Sequence, residues 1–271
     1  MRSRVISALV VAPLVLAIVA VGGTYLTLMV MGLGIAAVVE FYRLGRGSGF
    51  QPSAALGVAG VAALAVAGHL GSETWLGAIL ACLVIASLTM QTITAGPSNA
   101  VANPAVTVFG ASYVGWALAT FLLLRRLGGP GAGLGHVVSM LLAVWGTDIG
   151  AYFLGSAFGK HKLAPDVSPN KSLEGAISGL VTGAATGVVV RALGAALGWW
   201  PGISIWHAAA LAAIASVAGQ AGDLAESAMK RNAKVKDSGV FMPGHGGVLD
   251  RIDSVLFAIP VVYYYVRLFL A

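Results

Sequence analysis

The chain has 271 residues, of which 58% are hydrophobic and only 10% charged, with 16 Lys and Arg against 10 Asp and Glu for a formal charge of +6. Ordinary soluble domains carry roughly a quarter charged residues, so this composition excludes a water-soluble fold and makes the lipid bilayer the expected partner. The basic excess is of the kind that collects in the cytoplasmic loops of membrane proteins, and it calls for no nucleic acid.

In chain order, Met1-Arg-Ser-Arg followed by an apolar stretch has the form of a signal peptide. No small-residue cleavage site follows and further spans do, so it reads as a retained first transmembrane helix. A spanning helix needs about 20 predominantly apolar residues, and such runs follow one another near Val5–Val21, Tyr25–Tyr42, Ala54–Leu70, Trp75–Thr94, Val101–Leu124, Leu134–Ala157, Leu173–Leu197, Ile205–Leu224 and Ile252–Leu270. The predicted fold class is all-α, a polytopic transmembrane helical bundle of about nine spans. Residues 1–130 read as an N-terminal transmembrane scaffold of about five spans. Residues 131–271 read as the C-terminal catalytic half, about four spans joined by cytoplasmic loops. The single cysteine, Cys82, lies in an apolar run and is expected to be a small buried hydrophobe. It excludes an intramolecular disulfide and a cysteine-cluster metal site.

An odd number of spans puts the termini on opposite sides. Arg2 and Arg4, Arg43 and Arg46, Lys160, Lys162 and Lys171, and Lys230, Arg231, Lys234 and Lys236 then share one side. An excess of Lys and Arg marks that side as cytoplasmic. Arg125 and Arg126, between spans five and six, break the pattern. In the seventh span Gly175, Gly179, Gly183 and Gly187 recur every four residues, a small-residue face that lets another helix backbone approach closely.

Chemistry concentrates in the C-terminal half. Asp148 falls within an apolar span, where an ionisable group costs roughly 2.5–3.5 kcal/mol and is expected to line a polar cavity. From Ser168 to Gly175 the chain reads SPNKSLEG, with Ser172 a predicted N-cap, Glu174 in the first turn and Lys171 placed to meet a phosphate at a helix N-terminus. Lys160, His161 and Lys162 lie just upstream. Asp223, Glu226, Ser227 and Lys230 are spaced i, i+3, i+4, i+7, one polar stripe if the eighth span continues as helix. Pro243-Gly244-His245-Gly246-Gly247 cannot be regular helix and is predicted to be a loop whose amides approach an anion. Asp250 and Asp253 follow one turn apart at the start of the ninth span. Mg²⁺ takes oxygen ligands, commonly one or two carboxylates plus substrate phosphates, and Asp223 and Asp250 suit that task. The reaction class read from these residues is metal-assisted displacement at phosphorus.

The run Ser227, Lys230-Arg231, Lys236-Asp237, His245-Gly246-Gly247 and Asp250-Arg251-Ile252-Asp253 resembles the phosphatidate cytidylyltransferase (CDP-diacylglycerol synthase) family, as does the Ser168–Gly175 element. The first five spans resemble it in hydropathy alone. The resemblance implies CTP and phosphatidic acid as substrates, CDP-diacylglycerol and pyrophosphate as products, Mg²⁺, a homodimer, and a site on the cytoplasmic face of the plasma membrane. It implies metal ligation by Asp223 and Asp250, with Asp253 and Glu226 as neighbouring metal candidates. The candidate catalytic set is Asp223, Asp250, Lys230, Arg231 and His245. The candidate substrate-binding set is Lys171, Ser172, Ser168, Asn170, Ser227, Lys236, Gly246, Gly247, Arg251, Asp148 and Lys160. Two other readings stay open at this point: a related CTP-dependent enzyme acting on another lipid phosphate or a polyprenol, and an ion-coupled transporter using Asp148.

Overall fold

A computed structural model describes residues 2–200, 202–239 and 246–270, with residues 2–10 described through their backbone. Ten α-helices follow in order: α1 Arg2–Val21, α2 Gly23–Gly47, α3 Ala54–Leu70, α4 Glu73–Thr94, α5 Ala102–Gly110, α6 Ala117–Arg126, α7 Gly129–Phe158, α8 Leu173–Ala196, α9 Ile205–Asn232 and α10 Leu249–Phe269. A π-helical turn, Ala111–Trp116, joins α5 to α6 into one rod. Seven of these segments are long and apolar enough to cross a membrane, and Val11–Val21 and Ala54–Leu70 are shorter apolar helices. The all-α polytopic bundle is therefore the observed fold, with one addition. A short antiparallel hairpin, β1 Lys162–Ala164 and β2 Ser168–Ser172, occupies the loop between α7 and α8.

The chain divides into two compact units, each assembled from separated stretches of sequence. One comprises residues 1–21, 124–228 and 253–271, the other residues 22–123 and 229–252. In the first unit α8 packs along α7 through its glycines. Gly175, Gly179, Gly183 and Gly187 are all buried. A Cβ on Gly179 would sit 2.9 Å from the Thr147 carbonyl oxygen, and one on Gly183 would sit 3.0 Å from that of Ala143. The opposite face of α8 exposes Leu173, Ile177, Val181, Val189 and Leu193. Small residues inward and branched residues outward invert the pattern of a soluble helix, as expected where lipid is the solvent. Arg125 finds its explanation in the same unit. Its guanidinium donates to the carbonyls of Val19 at 2.8 Å, Ala20 at 3.0 Å and Pro130 at 3.0 Å, capping the C-terminal end of α1. A cation there satisfies orphan carbonyls and complements the helix dipole, so this arginine departs from the loop-charge pattern for a structural reason.

The second unit is built on α2 and α3. Leu26, Val30, Val61, Leu64 and Val114 are buried. The buried Tyr42 hydroxyl donates to the Thr107 carbonyl at 2.6 Å, and Gly57 leaves the space its ring fills. Cys82, expected to be buried, is instead exposed on α4. In a bilayer protein an apolar run does not imply an interior position, because the lipid-facing surface is apolar as well.

Overpacking a tight contact costs about 1–3 kcal/mol, so Gly179→Leu is expected to lower the thermal midpoint of the detergent-purified protein by several degrees. Gly77→Leu, at an exposed site on α4 with open space around it, is expected to leave the midpoint unchanged or slightly raised. Equal midpoints for the two variants would contradict the packing role of the α8 glycines.

Candidate active site

The first unit gathers Asp148, Lys171, Asp223 and Ser227. Its geometry starts at the end of α7, where the Gly159 amide closes the helix onto the Gly155 carbonyl at 2.9 Å. A Cβ on Gly159 would collide with Ser172, so the chain turns there at close quarters. Glu174, in the first turn of α8, then holds the chain that enters the hairpin. It accepts the amides of Lys160 at 3.0 Å and His161 at 3.2 Å, and its other oxygen lies 2.6 Å from His161 Nδ1. Ser172 caps α8 by accepting the Gly175 amide at 3.1 Å. With the helix start fixed on both sides, Lys171 at the end of β2 reaches Asp223 of α9, Nζ to Oδ2, at 2.6 Å. Ser227, one turn along α9, donates to the other Asp223 oxygen at 3.4 Å. Asp148 on α7 interacts electrostatically with both Asp223 and Lys171. About a third of the Asp223 side chain stays exposed, so this acid–base pair is open to a ligand.

The second unit gathers Glu40, Lys230, Ser238, Gly247 and Asp250. Beyond Lys230 and Arg231, basic residues suited to a helix C-terminus, α9 ends as Lys234 takes a left-handed conformation with φ +56°. The Val235 amide bonds back to the Lys230 carbonyl at 3.0 Å. The Lys230 ammonium meets Asp250 Oδ1 at 2.6 Å. The other oxygen, Oδ2, accepts the Ser238 amide at 2.9 Å, the Ser238 hydroxyl at 2.9 Å and the Gly247 amide at 2.7 Å. An acid in the first turn of a helix favours the macrodipole and satisfies amides that lack helical partners. Buried Glu40 of α2 accepts the Leu249 amide at 2.8 Å and the Ser238 hydroxyl at 3.1 Å.

The sequence profile of the cytidylyltransferase family matches residues 2–269. This chain belongs to that family. It is similar to a phosphatidate cytidylyltransferase of Brucella suis, 36% identical over 274 residues that cover 99% of this chain and 94% of the relative. It is also similar to one of Bacillus subtilis, 31% identical over 281 residues covering 99% and 98%. A third relative bearing that name, from Staphylococcus haemolyticus, is 32% identical over 268 residues covering 97% of each chain. The match extends through the first five spans, where motifs are absent and hydropathy alone suggests kinship.

The structure places the predicted residues at both acid–lysine pairs and around them. Asp223, Ser227 and Lys230 lie on successive turns of α9, which runs unbroken to Asn232. Glu226 belongs to the same stripe but is completely buried. Asp253 is buried too, one oxygen accepting the Ser254 amide at 2.7 Å. Ser168 is half-buried and Asn170 exposed on the hairpin, while Lys160, Arg231, Lys236 and Arg251 are exposed. Gly246 adopts φ +78° and Gly247 supplies its amide to Asp250. His245 lies outside the described residues. Glu40 is the residue that sequence reasoning missed, although the argument applied to Asp148, a carboxylate inside an apolar run, applies equally to it.

Among the described residues no three His, Cys, Asp or Glu side chains form a ready-made metal cage. The donor chemistry nevertheless fits Mg²⁺, which commonly uses one or two carboxylates and completes its shell with phosphate and water. Asp223 and Asp250 each hold one oxygen against a lysine ammonium at 2.6 Å. Those ammonium positions mark where positive charge is stabilised. Because Glu174 anchors the hairpin, Glu174→Ala is expected to speed amide exchange at Lys160 and His161 several-fold without loss of helical content. Unchanged exchange there would show that the hairpin is held by other contacts.

Proposed function

We propose that this protein is an integral-membrane nucleotidyltransferase that converts CTP and phosphatidic acid to CDP-diacylglycerol and pyrophosphate. Full-length similarity to proteins named phosphatidate cytidylyltransferase carries the reading, and the acid–lysine pairs supply chemistry suited to it. A phosphate oxygen of the lipid attacks the α-phosphorus of CTP, the bond from that phosphorus to the bridging oxygen breaks, and pyrophosphate leaves with the electron pair. A phosphate monoester is already largely ionised near neutral pH, its second pKa being about 6. The nucleophile therefore needs no strong general base.

What this chain's residues contribute is charge and position. Lys171 and Lys230 are the groups assigned to triphosphate oxygens, with Lys160, Lys236, Arg231 and Arg251 as exposed basic residues that draw an anion in. Ser168, Asn170, Ser172, Ser227, Gly246 and Gly247 are assigned to substrate binding, and His245 to phosphate binding or loop organisation. Asp223 and Asp250 are the carboxylates assigned to Mg²⁺, with Glu226 and Asp253 beside them in sequence. The ion would supply electrostatic stabilisation of charge that builds on phosphoryl oxygens. One-sided Lys and Arg support a plasma-membrane protein whose chemistry faces the cytoplasm. A homodimer is the assembly that the family resemblance implies.

The reading is tested with purified protein, phosphatidic acid and CTP labelled at the α or the γ position. Label from the α position is expected in the lipid; γ label in the lipid would identify a kinase instead. Asp223→Asn and Asp250→Asn are each expected to lower turnover by about a hundredfold or more, the scale of losing a preorganised electrostatic contact, while remaining folded. Near-normal turnover in both would overturn the metal assignment.

A further inference from the structure

Glu40 sits in the part of the chain that sequence patterning treats as scaffold, on a helix with no phosphate-binding motif, and yet it is built into the Asp250 loop. Its burial is specific. The residue is 5% exposed, and Gly239 and Gly247 both press against the carboxylate. Neither glycine leaves room for a side chain, since a Cβ on Gly239 would strike Oε1 and a Cβ on Gly247 would strike Oε2. A buried carboxylate is costly unless hydrogen-bonded, and this one accepts from the Leu249 amide and the Ser238 hydroxyl.

The Ser238 hydroxyl is the decisive atom. It lies 3.1 Å from Glu40 Oε2 and 2.9 Å from Asp250 Oδ2, but a serine hydroxyl has one hydrogen to donate. Two acceptors thus compete for one proton, and the orientation of that hydroxyl couples the two carboxylates. Glu40 also fixes Leu249, the first residue of α10, and so fixes the helix turn from which Asp250 projects. The consequence falls on Asp250. Its Oδ2 is committed to Ser238 and Gly247, which leaves Oδ1 as the edge facing the Lys230 ammonium.

We propose that Glu40 is a positioning residue for cytidylyl transfer. Through Ser238 and the Leu249 amide it orients Asp250 so that one defined carboxylate oxygen faces the cationic partner. This rests on the proposed function, in which Asp250 is a working acid. Displacement of a working group by about 1 Å can cost two orders of magnitude in rate, so a remote carboxylate can govern turnover without touching substrate.

The test compares Glu40→Gln, Ser238→Ala and the double variant with the unaltered protein in detergent. Glu40→Gln keeps the shape and one carbonyl acceptor, and is expected to stay folded while kcat falls about tenfold with the KM for phosphatidic acid unchanged. In the Ser238→Ala background the same change is expected to have a clearly smaller effect, since the Ser238 route is already gone and only the Leu249 contact remains to be lost, and residues that share a contact are non-additive. Glu40→Asp, which keeps the charge but shortens the reach, is not expected to restore the rate. Rate losses that multiply independently, or that merely track the loss of thermal stability as they would in Gly179→Leu, overturn the proposal. Amide exchange at Gly247 and Leu249, which needs no substrate, is expected to accelerate in Glu40→Gln, and unchanged exchange also overturns it. An unaltered protein that puts no α label into lipid would instead sink the functional reading, with the exchange measurement still deciding whether Glu40 holds the loop.

Discussion

A carboxylate taken out of water has to be met by a donor, and in this protein the groups that meet the acids shape the local structure around each of them. Burying a charge without a partner costs several kcal/mol or forces neutralisation. Asp223 is answered by Lys171 and Ser227, Asp250 by Lys230 and three donors from Ser238 and Gly247, and Glu40 by Ser238 and Leu249. Apart from Ser227, which lies within α9, each partner comes from a turn, a strand end or a helix terminus, where amides and flexible cations are available. The irregular parts of the chain are therefore the parts that the acids recruit.

This requirement also accounts for the local architecture around each acid. The hairpin exists to return the chain so that Lys171 arrives at the start of α8, and Glu174 secures that return through Lys160 and His161. The loop after α9 is closed by amides from both of its ends converging on Asp250. Helix ends here serve as donors and acceptors in the same way that caps do in soluble proteins, with the difference that their partners bear on chemistry.

Much of the fold was legible because hydrocarbon imposes length and composition on every span. The run Ala54–Leu70 is matched residue for residue by α3, and the predicted seventh and ninth spans differ from α8 and α10 by a few residues. Hydropathy ends the eighth span near Leu224, whereas α9 continues to Asn232. Hydropathy marks where the hydrocarbon stops, while Ala, Glu, Met, Lys and Arg remain good helix formers beyond it. The hairpin had no apolar alternation to announce it and rests on side-chain contacts distant in sequence. The acids and lysines were legible as a set. Their pairing was not, because Lys171 and Asp223 lie far apart along the chain. Glu40 stands alone among Ala, Val and Phe with no spacing pattern, so its place inside an apolar run is its one sequence signal, and its partners supply the role.

The glycine face of α8 has a thermodynamic corollary. Water-excluding cores draw their cohesion from hydration, which leaves a large heat-capacity change on unfolding and a weakening in the cold. Where α7 and α8 separate within a bilayer or micelle, their surfaces meet acyl chains and not water, and their attraction is van der Waals contact between backbones. This helix pair therefore contributes little heat capacity, and its cohesion varies with how well the surrounding chains pack against Ile177 and Val181.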